Sequence, residues 1–245
     1  MRAAYDTIGV NYADLRKPDP RIAAVIARAV GPARTVLNVG AGTGSYEPAD
    51  KEVTAVEPSA EMIRQRRQAA AQVIQGTAED LPFGDKSFDA AMAVLTVHHW
   101  SDKARGMAEL RRATRGPVVI LTFDPLHKDF WLADYIPELV ALDEGQMPRL
   151  SDYENWLGPV EITPVPVPHD CIDGFLYAYW RRPAAYLDPR IRAAMSSFWK
   201  LGDVSAALER LARDLDSGAW EKRYGDLLTR ETCDMGYRLV TTLQP

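Results

Sequence analysis

The chain has 245 residues, 47% of them hydrophobic and 26% charged, with 16 glycines and 17 prolines, a composition that excludes collagen-like, low-complexity and disordered classes. Its 29 Lys and Arg against 34 Asp and Glu leave a net charge of −5, so no basic excess exists to displace counterions from a phosphate backbone, and nucleic acid is not expected as a partner. A doubly wound nucleotide-binding core takes about 150 residues, so a single domain of this length carries a surplus with another use. Cys171 and Cys233 are too few and too far apart for a disulfide scaffold or a metal knuckle, and reduced thiols are expected. The opening Met1-Arg2-Ala3-Ala4-Tyr5-Asp6 lacks the apolar stretch of a signal peptide, and no long apolar run follows. A soluble, cytoplasmic protein away from membranes is the expectation.

Ile22, Val25, Ile26 and Ala29 recur at helical spacing before Gly31-Pro32, which predicts a helix over residues 21–30. The apolar run 35–39 then reads as a buried strand entering the turn Gly40-Ala41-Gly42-Thr43-Gly44. Residues 53–56 predict a second strand, Ser59 an N-cap for a helix from 60 to about 71, and residues 72–75 a third strand. A fourth strand is expected over 88–94, a helix capped by Ser101 up to about 114, and a fifth strand over 117–123. Short strands alternating with helices imply crossovers and a parallel sheet. Helices are expected over 129–143 and 151–157, and the run 160–168 alternates with prolines as only an outer strand tolerates. Residues 170–230 read as helical and aromatic, and 236–242 as the closing strand.

Three glycines after a buried strand allow a sharp turn and a close approach of ligand to backbone. Ser45 stands where a dinucleotide fingerprint needs its third glycine, which argues against a nicotinamide-dependent reductase. Glu57, at the end of the next strand, is placed to accept hydrogen bonds from both hydroxyls of a ribose; the plain alternative is a solvated loop charge.

Val36-Leu37-Asn38-Val39-Gly40-Ala41-Gly42-Thr43-Gly44, Val56-Glu57-Pro58-Ser59-Ala60-Glu61-Met62, Gly76-Thr77-Ala78-Glu79-Asp80-Leu81-Pro82-Phe83 and Ser87-Phe88-Asp89 follow in order. With these motifs the chain resembles the class I S-adenosylmethionine-dependent methyltransferases, and within them the branch acting on small molecules, including quinone-biosynthesis and natural-product enzymes. The resemblance covers residues 35–124. Asn38 departs from it, since the family often has Asp there. It implies an α/β fold: a Rossmann-like, doubly wound, seven-stranded, mostly parallel sheet with a helical cap inserted before the last strand. One domain is expected, with residues 1–20 covering the cofactor, 21–124 forming its binding core and 170–230 a helical substrate cap. By the same resemblance Gly40, Ala41 and Gly42 lie under the methionine part of S-adenosylmethionine, Glu57 holds its ribose and Met62 packs on its adenine. Thr77, Ala78 and Glu79 flank the adenine, and Val94 runs along the methionine moiety. Tyr12 and Arg16 stand four apart on one helical face; Arg16 is placed to pair with the cofactor carboxylate and Tyr12 to face its sulfonium, or both belong to an ordinary surface helix.

The implied reaction is methyl transfer to a small-molecule acceptor, with oxygen the favoured atom. A binding or regulatory protein that holds the cofactor without transfer is the alternative. His98 and His99, after the fourth strand, are candidates for a general base, against a purely structural turn. Asp124, past the fifth strand, either points into the same crevice or caps the loop beside Pro125. No metal site is expected, because adjacent histidines lack the spacing of a zinc pair. Phe175, Tyr177, Tyr179, Trp180, Tyr186, Phe198 and Trp199 line an apolar pocket or form the core of a helical subdomain. Arg181 and Arg182 beside them suit a carboxylate-bearing acceptor, or are a solvated face.

Overall fold

The structure, a computed structural model, describes residues 15–66 and 71–243. In chain order its strands are β1 (Thr35–Val39), β2 (Glu52–Glu57), β3 (Gln72–Gln75), β4 (Ala90–Val94), β5 (Val118–Phe123), β6 (Val160–Pro164), β7 (Val167–Pro168), β8 (Thr232–Cys233) and β9 (Tyr237–Thr242). Seven of them form one sheet in the order β3-β2-β1-β4-β5-β9-β6. The pairings from β3 through β5 are parallel, and β9 runs antiparallel to both β5 and β6. The expected Rossmann-like, mostly parallel sheet is therefore present, with the chain reversing its lateral direction between β1 and β4.

Successive strand residues enter opposite layers, as the two-residue period of a strand requires. Val36, Ala90, Met92, Val119 and Leu121 pack with Ile22, Ile26 and Val30 of α1 (Pro20–Val30). Leu37, Ala91, Ala93, Val118 and Ile120 pack on the other face with Met107, Leu110 and Ala113 of a helix over Lys103–Ala113. Strands covered on both faces read as the nearly continuous apolar runs seen in the sequence.

Several element boundaries differ from the sequence reading. The helix after Ser59, α2 (Ala60–Arg64), stops well before residue 71; Ser59 does cap it, accepting from the Met62 amide at 3.2 Å. The helix over Lys103–Ala113, α3, is capped by Asp102 rather than Ser101: the Asp102 carboxylate accepts the Arg105 amide at 3.0 Å. Ser101 instead gives its amide and hydroxyl to Glu79. Phe88 sits in an isolated bridge with Thr114, ahead of β4. The proline-rich run is two strands, because Pro166 has no amide to continue the ladder; β6 forms the outer edge and β7 leaves to pair with β8.

The pairing of β7 with β8 closes the base of the long insertion between β6 and β9. Most of its aromatic residues form a core: Tyr179, Trp180 and Tyr186 are buried with Trp131 and Trp220. Trp131 donates to the Trp180 carbonyl at 2.7 Å, Trp180 to the Val167 carbonyl at 3.1 Å, and Tyr186 to the Leu176 carbonyl at 2.7 Å. Cys171 and Cys233 are free thiols. No helix among the described residues is long and apolar enough to cross a membrane.

One buried carboxylate ties α1 to this insertion. Asp19, fully buried, accepts from the Arg21 amide at 3.0 Å and from the Ile172 amide at 3.3 Å, and pairs with the Arg21 guanidinium at 2.8 Å. Burial alone would raise its pKa, but the bonds from Arg21 and Ile172 outweigh that and hold the carboxyl below its ordinary value. Its stabilisation is then present above the unfolded carboxyl pKa and lost as pH falls through the lower folded value. Asp19→Ala is expected to lower stability by about 2–4 kcal/mol at pH 7, with the deficit shrinking toward pH 3. Urea unfolding at both pH values checks this, and a deficit under about 0.5 kcal/mol at pH 7 would contradict it.

Candidate active site

β1 ends at Val39 and the chain turns at Gly40 with φ +68°, where a Cβ would lie 2.1 Å from Thr96 Oγ1. Only glycine meets both demands. Gly42, at φ +52°, has open space where its Cβ would be. The turn is fastened to β2: the Gly40 and Ala41 amides donate to the Val56 carbonyl at 2.8 and 3.1 Å. The Gly42 amide donates to Glu57 Oε2 at 2.7 Å, and Glu57 Oε1 accepts the Ser59 amide at 2.9 Å. Glu57 is buried, not a solvated loop charge.

Behind the loop stands a buried ion pair. Arg66 Nη2 meets both carboxylate oxygens of Glu47 at 2.6 and 2.7 Å, and its Nη1 donates to the Gly42 carbonyl at 3.0 Å. Asn38 Nδ2 donates to Glu47 Oε1 at 2.9 Å. This accounts for the amide at position 38: aspartate there would set a second carboxylate against Glu47 with nothing to donate. Asn38 Oδ1 is buried and has no hydrogen-bond partner among the described residues.

The loop forms one wall of a cavity of about 480 Å³ at the carboxyl ends of β1 and β4. That is the crevice where open α/β sheets bind ligands, and its size suits a nucleoside-containing molecule. Arg16, Gly40, Ala41, Gly42, Glu57, Met62, Thr77, Ala78, Glu79 and Val94 all line it. Tyr12 lies outside the described residues. Asn38, marked in the sequence as a departure, lines it as well, and so do Tyr46, Leu95, Thr96 and Trp100, which were not singled out from the sequence. Their positions follow from the path of the chain after β1 and β4, which no local pattern marks. The Glu79 carboxylate also accepts the amides of Ser101 and Asp102 at 2.8 and 3.1 Å, so it braces the loop before α3. Arg16 is engaged within the protein: its Nε donates to Asp173 Oδ1 at 2.6 Å.

The three catalytic candidates separate. His99 faces the large cavity, whereas His98 faces a second cavity of about 50 Å³. Each exposes some surface to its cavity but sits deep in the protein, and burial together with the charges of Lys200, Lys103 and Arg16 lowers both pKa values, that of His99 to about 3. Both imidazoles are neutral at pH 7 and far weaker bases than a free histidine. Asp124 lines neither cavity; its carboxylate accepts the Leu126 amide at 3.0 Å, closing the turn at Pro125. Asp143, on α5 (Glu138–Gln146) after α4 (Leu132–Tyr135), does line the second cavity. No sequence motif marks it.

A strand-end carboxylate, an apolar wall at Met62 and Ala78, a glycine turn and the buried acceptor Asn38 Oδ1 meet at this cavity. The chain belongs to the class I S-adenosylmethionine-dependent methyltransferases. Residues 37–120 match the methyltransferase domain family. A crystal structure from Anabaena variabilis, assigned as a methyltransferase of an antibiotic biosynthesis pathway, is 35% identical, with a TM-score of 0.89 over 95% of this chain and 100% of that one. The rice chloroplastic 2-methyl-6-phytyl-1,4-hydroquinone methyltransferase 1 is 30% identical over 131 residues, 49% of this chain and 38% of the relative. Demethylmenaquinone methyltransferase of Renibacterium salmoninarum is 34% identical over 109 residues, 40% of this chain and 46% of the relative. The chain thus spans less than half the length of these two curated relatives.

Gly40→Ala is expected to weaken S-adenosylhomocysteine binding by at least about 30-fold, because the left-handed turn and Thr96 leave no room for a methyl group. Calorimetry reads this out, and unchanged affinity would contradict it. Asp143 provides a second check. Burial raises its pKa to about 6 despite the bonds from Tyr177 and Gln146 and the charge of Lys200. A raised acid binds more protons folded than unfolded, so stability falls as pH rises from the unfolded value to about 6 and the full cost persists above. Asp143→Asn is expected to exceed the parent in stability by about 1–3 kcal/mol at pH 8, with the gain vanishing near pH 4. A variant no more stable than the parent at pH 8 would contradict this.

Proposed function

We propose that the protein transfers a methyl group from S-adenosylmethionine to a small-molecule acceptor, with a phenolic or alcoholic oxygen the favoured receiving atom. The observation that carries the reading is the large cavity, where Glu57, Asn38 and the glycine turn converge at the strand ends. When bound, S-adenosylmethionine would supply an electrophilic sulfonium methyl: the acceptor oxygen would bond to the methyl carbon in line as the carbon–sulfur bond breaks with its electrons on sulfur, and the acceptor's proton would pass to solvent.

The residues have few tasks, since a good leaving group needs alignment and exclusion of water more than activation. Glu57 would take the ribose hydroxyls on the lone pairs that its bonds to the Gly42 and Ser59 amides leave open. Met62 and Ala78 would cover the adenine, Asn38 Oδ1 would accept from the amine of the methionine portion, and Arg16 would face its carboxylate. The neutral imidazoles of His98 and His99 would bind and orient rather than store a proton. An aromatic, hydroxyl-bearing acceptor is supported by the hydroquinone named for the rice relative and by the rings around the second cavity. The insertion would serve as the substrate cap, since Phe175 to Tyr177 and Met195 to Ser197 supply about half of that cavity's wall.

Calorimetry with S-adenosylmethionine and S-adenosylhomocysteine should give dissociation constants below about 1 mM, and Glu57→Ala should weaken both by about 10- to 100-fold, the loss of a charged acceptor. Absence of binding in that range would refute the reading. Binding without methyl transfer from labelled cofactor to any of a panel of phenols, alcohols and amines would favour the non-catalytic alternative.

A further inference from the structure

Arg16 and Leu95 line both cavities and so form the partition between them. Leu95 holds φ +50°, a left-handed conformation uncommon for a residue with a Cβ, at the point where β4 ends and the two spaces meet. Beyond the partition the small cavity is walled by Phe123, Phe175, Tyr177 and Tyr237. Ring centroids lie 5.2 Å apart for Phe123 and Tyr177 and 4.5 Å apart for Phe175 and Tyr237.

In this aromatic wall stands one carboxylate. Asp143 is 2% exposed and accepts from the Tyr177 hydroxyl at 2.8 Å. Its hydrogen-bonding neighbours, Tyr177 and the Gln146 amide, are neutral, and the nearby Lys200 ammonium is bonded to Gln146 Oε1 at 2.6 Å. Burying an ionised group against neutral partners works against folding, and a neutral side chain of the same shape would not. An ionised carboxylate can only accept hydrogen bonds, with room for several donors on its two oxygens. Beyond the bonds from Tyr177 and Gln146 its two oxygens keep room for a donor from a ligand.

We propose that the second cavity is the acceptor site, that it takes the end of a single-ring acceptor bearing a hydroxyl or amine, and that Asp143 receives that donor's hydrogen. The proposal rests on the methyltransferase reading of the large cavity, and it makes Asp143 a specificity residue for acceptors. At about 50 Å³ the space suits one substituted ring end and not a polycycle. Met147 and Met195, which also line it, are unbranched and can shift to admit such a ring.

Phenol carries a donor that anisole lacks, and anisole is one methyl group larger, so titrating each by ligand-observed NMR into the full parent chain and into Asp143→Asn, with S-adenosylhomocysteine present, tests the assignment. Phenol is expected to bind at least about fivefold tighter than anisole, and Asp143→Asn to cut that preference below about twofold. Ser196→Phe, which fills the cavity from the short helix Ser196–Lys200, is expected to abolish phenol binding while leaving S-adenosylhomocysteine affinity unchanged. Equal binding of phenol and anisole, a preference that survives in Asp143→Asn, phenol binding that survives in Ser196→Phe, or benzoate binding tighter than phenol would each overturn the proposal. Failure of S-adenosylhomocysteine to bind the parent would instead overturn the reading on which it rests.

Discussion

The carboxylate of Glu57 holds the glycine turn to the end of the second strand, and the candidate site depends on it. It accepts one amide from the turn, at Gly42, and one from the start of α2, at Ser59. A buried carboxylate is costly unless hydrogen-bonded, and these two amides satisfy it. The turn is also restrained from behind, where the Arg66–Glu47 pair grips the Gly42 carbonyl. A loop fixed on both sides presents its backbone to a ligand with little freedom left to lose on binding.

A second set of buried polar groups joins distant parts of the chain around the same cavity. Asp173 accepts from Arg16 on one oxygen and from the Tyr46 hydroxyl on the other, at 2.6 and 2.8 Å. The Gly174 amide meets the Leu15 carbonyl at 3.0 Å, and a Cβ on Gly174 would collide with that carbonyl. The approach to α1, the loop after β1 and the start of the insertion are thus locked together at one corner. The same corner carries Arg16, which lines both cavities. The fold thereby couples the two cavities through charge-assisted bonds rather than through the apolar core alone.

The sheet was legible because strands buried on both faces leave apolar runs and their turns leave glycines. The ordered motifs around Gly40, Glu57 and Thr77 carried the resemblance that implied the cofactor, and in the fold each sits at a strand end that faces the cavity. Asn38 was legible as a departure but not as a consequence: its reason is Glu47, which reaches it only through the fold. Asp143 and Asp173 were invisible for the same cause, since their partners Tyr177 and Arg16 are 34 and 157 residues away in sequence. Asp124 stood out instead, just past the fifth strand, yet its carboxylate is used within two residues of itself. The aromatic cluster could not be divided by reading it, because Tyr179, Trp180 and Tyr186 pack inward while Phe175 and Tyr177 reach the second cavity.

A crystal structure of the protein with S-adenosylhomocysteine bound tests the account most directly. It predicts both ribose hydroxyls on the Glu57 carboxylate, the adenine against Met62 and Ala78, and the amino group within hydrogen-bonding distance of Asn38 Oδ1. A nucleoside lying away from Glu57, or a ligand seated outside the large cavity, would contradict it.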